Sequence, residues 1–200
     1  MAEADSVQAC IDRHLAYPYD IAHRLKPAQR HRVAEMVRPV RPGELVLDVG
    51  CNSGYLIDFL PATCIGWGVD VAPELVARAR LRLARAEVAP AETLPFPDSS
   101  VDVVVLGEIL EHVFDPVAVV REAARVARRL VIGSTPHEAS PWGPQGSRRP
   151  EGHRFHVRCF TATSLGEVLC QAGCMDPVVE VTSWEGVPQF YCFEAAAAWA

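Results

Sequence analysis

Apolar positions along the chain follow two alternating rhythms. Short, nearly unbroken apolar runs at 44–49, 65–70 and 101–106 read as strands buried on both faces, and shorter runs near 86–89 and 129–133 read the same way. Between them the apolar residues recur at helical spacing. Leu75, Val76, Ala79 and Leu83 share one face of a helix that opens at Pro73, and Asp115-Pro116 caps and starts another that runs to about Ala127. A shorter helix is expected from about 53 to 60, stopped before Pro61, and a later one over 163–172, ended by Gly173. The first 40 residues read as helical, with a basic amphipathic stretch from His23 to Val37 closed by Pro39 and Pro42-Gly43. Late in the chain, strands over 177–182 and 188–194 lack a full helix between them and are expected to pair as a hairpin, with 195–200 fraying. Residues 134–158, rich in Pro, Gly and His, read as a long loop, of a length that in compact domains is usually functional or disordered.

Strands alternating with helices imply a parallel sheet covered on both faces, joined by right-handed crossovers. The expected fold is α/β: a Rossmann-like doubly wound sheet, mostly parallel, with a C-terminal antiparallel hairpin strand. Residues 1–40 form an N-terminal helical lid segment, and 41–195 carry the sheet. In such sheets a ligand lies beyond the carboxyl ends of the strands. Gly50, Asp70, Ala91, Gly107 and Ser134 all fall at those ends, so five strand ends converge on one crevice.

Composition narrows the setting. Half the residues are hydrophobic and about a fifth charged, as in a soluble globular protein. No apolar run approaches the roughly 18–20 residues that span a bilayer, and the acidic start Met1–Asp5 lacks the order of a signal peptide, so a cytoplasmic chain without a membrane partner is expected. The seven cysteines are scattered and contain no C-x-x-C pair, which reads as reduced, mostly buried thiols. The net charge of −6 opposes a general nucleic-acid binder. Two basic groups stand out against it: Arg24, Lys26, Arg30, His31, Arg32, Arg38 and Arg41 early, and Arg148, Arg149, His153, Arg154, His156 and Arg158 late. Each reads first as a solvated face, and second as a surface that meets an anionic substrate.

The crevice chemistry starts at LVLDVGCNSGYL, residues 45–56. A strand there runs into Gly50, which can adopt the backbone angles of a tight turn, and Gly54 follows. A dinucleotide site needs G-x-G-x-x-G, and the spacing here differs. Asp48 stands before the turn, where a carboxylate repels a pyrophosphate but accepts an amino group, while Asp70, 22 residues on, suits a ribose diol. This favours an adenosylated amino acid over a nicotinamide cofactor.

With IGWGVDVA at 65–72, AETLPFPDSSVDVVVLG at 91–107 and EILEHVFDP at 108–116, the chain resembles the class I S-adenosylmethionine-dependent methyltransferases, of the type 11/23-like kind. The resemblance covers about residues 30–175 and does not fix the substrate. It implies that Asp48, Gly50 and Gly54 line the methionine portion of S-adenosyl-L-methionine, that Asp70, with Val71 beside it, holds the ribose, that Ala91, Glu92 and Leu94 border the adenine, and that Gly107 floors the site. Asn52 stands where the family often has glycine; asparagine tolerates positive backbone angles, so the turn is expected to survive and Asn52 to stay part of the cofactor site. Pro90 stands where the family often has aspartate, so a side-chain bond to the adenine is expected to be missing.

Methyl transfer from a sulfonium is an in-line displacement that needs alignment, dryness and, for a hydroxyl acceptor, a base. The best base candidates lie in Glu108-Ile109-Leu110-Glu111-His112, where Glu108, Glu111 and His112 share a face if the segment turns helically. Glu111, His112 and His156 are the expected catalytic residues. Glu108, Glu111, His112 and His156, with His153 as an alternative fourth donor, also form a possible set for a divalent metal, which would acidify a bound hydroxyl. His137 is a weaker base candidate. The E-x-x-E-H run and HVRCFT at 156–161 resemble quinone-biosynthesis O-methyltransferases and small-RNA 3′-terminal 2′-O-methyltransferases. Tyr17, Tyr19, His23 and Arg24 are expected to lid the substrate. The resulting expectation is O-methylation of a small molecule (natural product, sugar or quinone-like). The rivals are metal-dependent methylation of an RNA 3′ end and a binding module that holds the cofactor without turnover.

Overall fold

A computed structural model describes residues 6–16, 26–140 and 156–197. Two helices lead, α1 (Val7–Ala16) and α2 (Pro27–Met36), followed by β1 (Leu45–Val49), a 3-10 helix (Tyr55–Phe59), β2 (Ile65–Asp70), α3 (Pro73–Ala79) and β3 (Arg85–Val88). The second half runs β4 (Val101–Gly107), α4 (Pro116–Val126), β5 (Ala127–Pro136), α5 (Ala162–Gln171), β6 (Met175–Trp184) and β7 (Val187–Ala196). The seven strands form one sheet in the order β3-β2-β1-β4-β5-β7-β6, parallel except for β7, which runs antiparallel to both its neighbours. The chain order reverses between β1 and β4, the switch point at which such sheets bind ligands.

Period-two alternation splits the core into two layers. Val104 and Leu106 of β4 join Val120, Ala123, Leu165 and Leu169 beneath α4 and α5. Val103 and Val105 face the other way, onto Val33 and Met36 of α2 and Tyr55 and Leu56 of the 3-10 helix. Helix ends are set by side chains: Asp115 accepts the Ala118 N–H at 3.0 Å, and Thr161 and Ser164 form a reciprocal capping box.

Element bounds differ from the sequence expectation where chain geometry intervenes. The helix expected over 53–60 is a 3-10 turn: Gly54 enters with φ +77 and Pro61 closes the far end, too little chain for a complete α-helix. Strand β5 starts directly from α4 and continues to Pro136, absorbing residues expected in the long loop, because β7 pairs with it along its length. The hairpin joining β6 to β7 turns on Glu185 and Gly186, both at positive φ, as a two-residue reversal requires. All seven cysteines are free, but only Cys51 and Cys174 are buried, while Cys159 and Cys170 are exposed. Among the described residues no helix is long and apolar enough to cross a membrane.

Candidate active site

Where β1 ends, Gly50 takes φ +76 and Asn52 takes φ +52, so asparagine does occupy the left-handed turn. Asp70, at the end of β2, fixes this turn with both oxygens. Oδ2 accepts the Asn52 N–H at 2.9 Å and Oδ1 accepts the Ala72 N–H at 3.0 Å. The carboxylate is only 4% exposed.

One cavity opens over these strand ends. Its wall takes in Gly50, Asn52, Asp70, Val71, Ala91 and Glu92 from the strand-end turns. Burial raises the Glu92 carboxyl above its ordinary range, with Asp115 adding to the effect. Four of the expected cofactor residues lie off this wall. Asp48 is buried within β1. Gly54 backs onto Leu83 and Gly107 onto Met36. Leu94 belongs to the core, its N–H and carbonyl held by Glu122 and Arg125.

Beyond β4 the chain makes a turn rather than a helix. Glu108 takes φ +57, and the His112 N–H bonds the Ile109 carbonyl. The expected common face of Glu108, Glu111 and His112 is therefore divided. Glu108 accepts from Ser134 Oγ at 3.1 Å and lies 3.7 Å from Arg32 Nη1. Glu111 points elsewhere: it is 1% exposed, its Oε2 accepts from Thr135 Oγ1 at 3.3 Å, and its Oε1 has no hydrogen-bond partner. Burial, with the Glu108 charge added, pushes its carboxyl well above the usual range.

That orphaned oxygen lies 3.9 Å from His112 Nε2, and the His112 and His156 rings meet edge to face with centroids 4.8 Å apart. One donor atom from each of Glu111, His112 and His156 falls within 4.8 Å of the others. A backbone bond from Val157 N–H to the Glu111 carbonyl, 2.9 Å, ties the returning chain to the turn and seats His156 there. Glu108 stands outside this trio, His153 lies outside the described residues, and His137 sits apart with Glu138 and Tyr191. A carboxylate and two imidazoles can share a proton with a hydroxyl or hold a divalent cation with positions left open.

Arg32 corrects the reading of the early basic group as a solvated face. Its side chain is 1% exposed on the cavity wall, donating to Gln29 Oε1 at 3.0 Å and Ser134 Oγ at 2.6 Å, with the guanidinium over the Phe190 ring. The signal was present in the sequence: Gln29, Arg32, Val33 and Met36 follow the spacing of one helix face, and all four are buried. Helix α1 contributes Val7, Cys10 and Ile11 to the same cavity. The expected lid residues Tyr17, Tyr19, His23 and Arg24 lie outside the described residues.

Residues 47–130 match the family model of a methyltransferase domain. Over 156 residues the chain is 36% identical to a probable S-adenosylmethionine-dependent methyltransferase of Mycobacterium tuberculosis, covering 74% of this chain and 55% of that one. It is 38% identical over 125 residues to the 27-O-demethylrifamycin SV methyltransferase of Amycolatopsis mediterranei, covering 56% of this chain and 46% of that one. The chain thus spans about half the length of these relatives. Among solved structures, a SAM-dependent methyltransferase of Thermotoga maritima superposes with a TM-score of 0.72 over 94% of this chain and 99% of its own, a likeness of fold at 16% identity. Domain match, relatives and strand order agree, and the chain belongs to the class I S-adenosylmethionine-dependent methyltransferase superfamily.

Proposed function

We propose that the chain transfers a methyl group from S-adenosylmethionine to a hydroxyl oxygen of a small molecule. One observation carries this reading: a single cavity is lined both by Asp70 with the Gly50–Asn52 turn and by the Glu111–His112–His156 trio. Asp70, pinned from two sides, is pre-set to accept from a ribose diol, and Gly50 lets the amino-acid portion approach the main chain. When bound, S-adenosylmethionine supplies a sulfonium methyl: the new O–C bond forms as the C–S bond breaks, its electron pair staying on sulfur. The trio's task is the hydroxyl proton, which leaves the acceptor oxygen for His112 or Glu111. Glu111 suits the role because it is dry and its Oε1 has no partner.

The same three residues fit a divalent cation, since a buried carboxylate oxygen without a hydrogen-bond partner stands beside two imidazoles. Such an ion would be held by Glu111, His112 and His156 and would lower the pKa of a hydroxyl next to it. Glu108 is engaged by Ser134 and Arg32 and stands outside this set.

Titration calorimetry tests the donor half. Asp70→Ala removes charge-assisted hydrogen bonds and is expected to weaken S-adenosylmethionine binding about ten- to a hundredfold. Unchanged affinity would remove the reading. Activity abolished by a chelator assigns the trio to a metal; full activity in chelator leaves His112 and Glu111 as the base.

A further inference from the structure

Resting on the methyl-transfer reading, we infer that the acceptor is a neutral hydroxyl compound with an apolar body, and that the cavity excludes anionic acceptors. Two independent features lead there. The first is helix α1. Val7, Cys10 and Ile11 recur at i, i+3 and i+4 and form one face, and all three line the cavity. They are half-buried, and none belongs to the buried core, so among the described residues this apolar stripe adds to the cavity wall. Ile109 and Val113 flank the Glu111–His112 turn and continue the apolar wall. A ligand with an apolar body removes this surface from water, which water or a charged group does not.

The second feature is charge. Among the described lining residues stand four carboxylates, Asp70, Glu92, Glu108 and Glu111, against one guanidinium, Arg32. That cation is already engaged by Gln29, Ser134 and Glu108. A phosphate or carboxylate on the acceptor would enter a cavity whose acidic side chains outnumber its guanidinium, with no uncommitted lysine or arginine among those residues and only the imidazoles of His112 and His156 to meet it. A neutral hydroxyl brings a proton to donate and nothing to repel.

The test uses the whole chain saturated with S-adenosylhomocysteine, the inert product of the donor. Two probes share one catechol ring and differ in charge and a single methyl: methyl protocatechuate, neutral, and protocatechuate, ionised at neutral pH. Calorimetry is expected to give at least about tenfold tighter binding of the ester. Ile11→Asp is expected to weaken ester binding at least about tenfold, by removing apolar wall, while S-adenosylhomocysteine still binds, which also reports that the variant is folded. Four results would overturn the inference. These are equal or tighter binding of the acid, tighter binding of a short RNA with a free 3′ diol, binding of neither probe, and an unchanged ester affinity in Ile11→Asp. Joint loss of ester and S-adenosylhomocysteine binding in that variant also counts against it, because the wall would then serve the donor. If the unmodified chain fails to bind S-adenosylhomocysteine, the methyl-transfer reading itself falls.

Discussion

Arg32 sits on α2 with its guanidinium closed in among Gln29, Ser134 and Glu108 and stacked over Phe190. Its neighbours give it two tasks: joining α2 to the end of β5, and offsetting the charge of Glu108. Arg32→Met leaves that part-buried carboxylate without its cation and removes the bonds to Gln29 and Ser134, and urea unfolding is expected to show a loss of about 2 kcal/mol. Arg32→Lys recovers only part, because an ammonium lacks the fork that reaches Gln29 and Ser134 together. A second pair makes a titration prediction. Tyr191 donates to Glu138 Oε2 at 2.6 Å, and burial, followed by that bond, pushes its phenol up to about 12. The folded chain therefore keeps a proton that the unfolded chain loses near pH 10. Stability from this group is complete below about pH 10 and disappears as pH rises toward 12. Glu138→Gln should bring the phenol part of the way back, since burial remains. Tyrosinate absorbance, taken as a difference from Tyr191→Phe, measures it.

At the scale of elements, β5 sets the tightest tolerance. It enters straight from α4, pairs parallel with β4 and antiparallel with β7, and ends at the cavity with Ser134 and Thr135. Gly133 makes this close packing possible: a Cβ there would press on the Leu106 carbonyl and the Phe193 ring. Gly133→Ala is expected to cost about 1–3 kcal/mol through overpacking, read as a lower thermal midpoint. The strand frame was legible in the sequence because buried parallel strands declare themselves as apolar runs, whereas the register of β1, β2 and β4 is read from the structure alone. Their limits were less legible. A 3-10 turn in place of a helix depends on the backbone angle at Gly54, and the extra length of β5 depends on a partner strand more than fifty residues away.

For the molecule as a whole, the central strands carry the least exposed residues. Val103, Val104, Val105 and Leu106 are 0% exposed, with β1 and β5 bonded on either side, whereas β3 and β6 form the open edges. Hydrogen exchange followed by mass spectrometry should find β4 slowest and the outer half of the β6–β7 hairpin much faster. The site divided along the same lines of legibility. Residues at strand ends, such as Asp70 and Gly50, were placed by topology, because the sheet delivers the carboxyl ends of its parallel strands to one side. Arg32 and the split between Glu108 and Glu111 were not, because both depend on how α2 packs and on one positive φ at Glu108.

The strand order also imposes a schedule on synthesis. β7 lies between β5 and β6 but is made after both. On the ribosome β1 to β5 can pair as they emerge, while β6 waits without a neighbour until residues 187–196 arrive and fill the slot between them. Until then the edge of β5, with Ser134 and Thr135 on it, stands bare, and a nascent chain stalled short of β7 presents that edge to any other unpaired strand nearby.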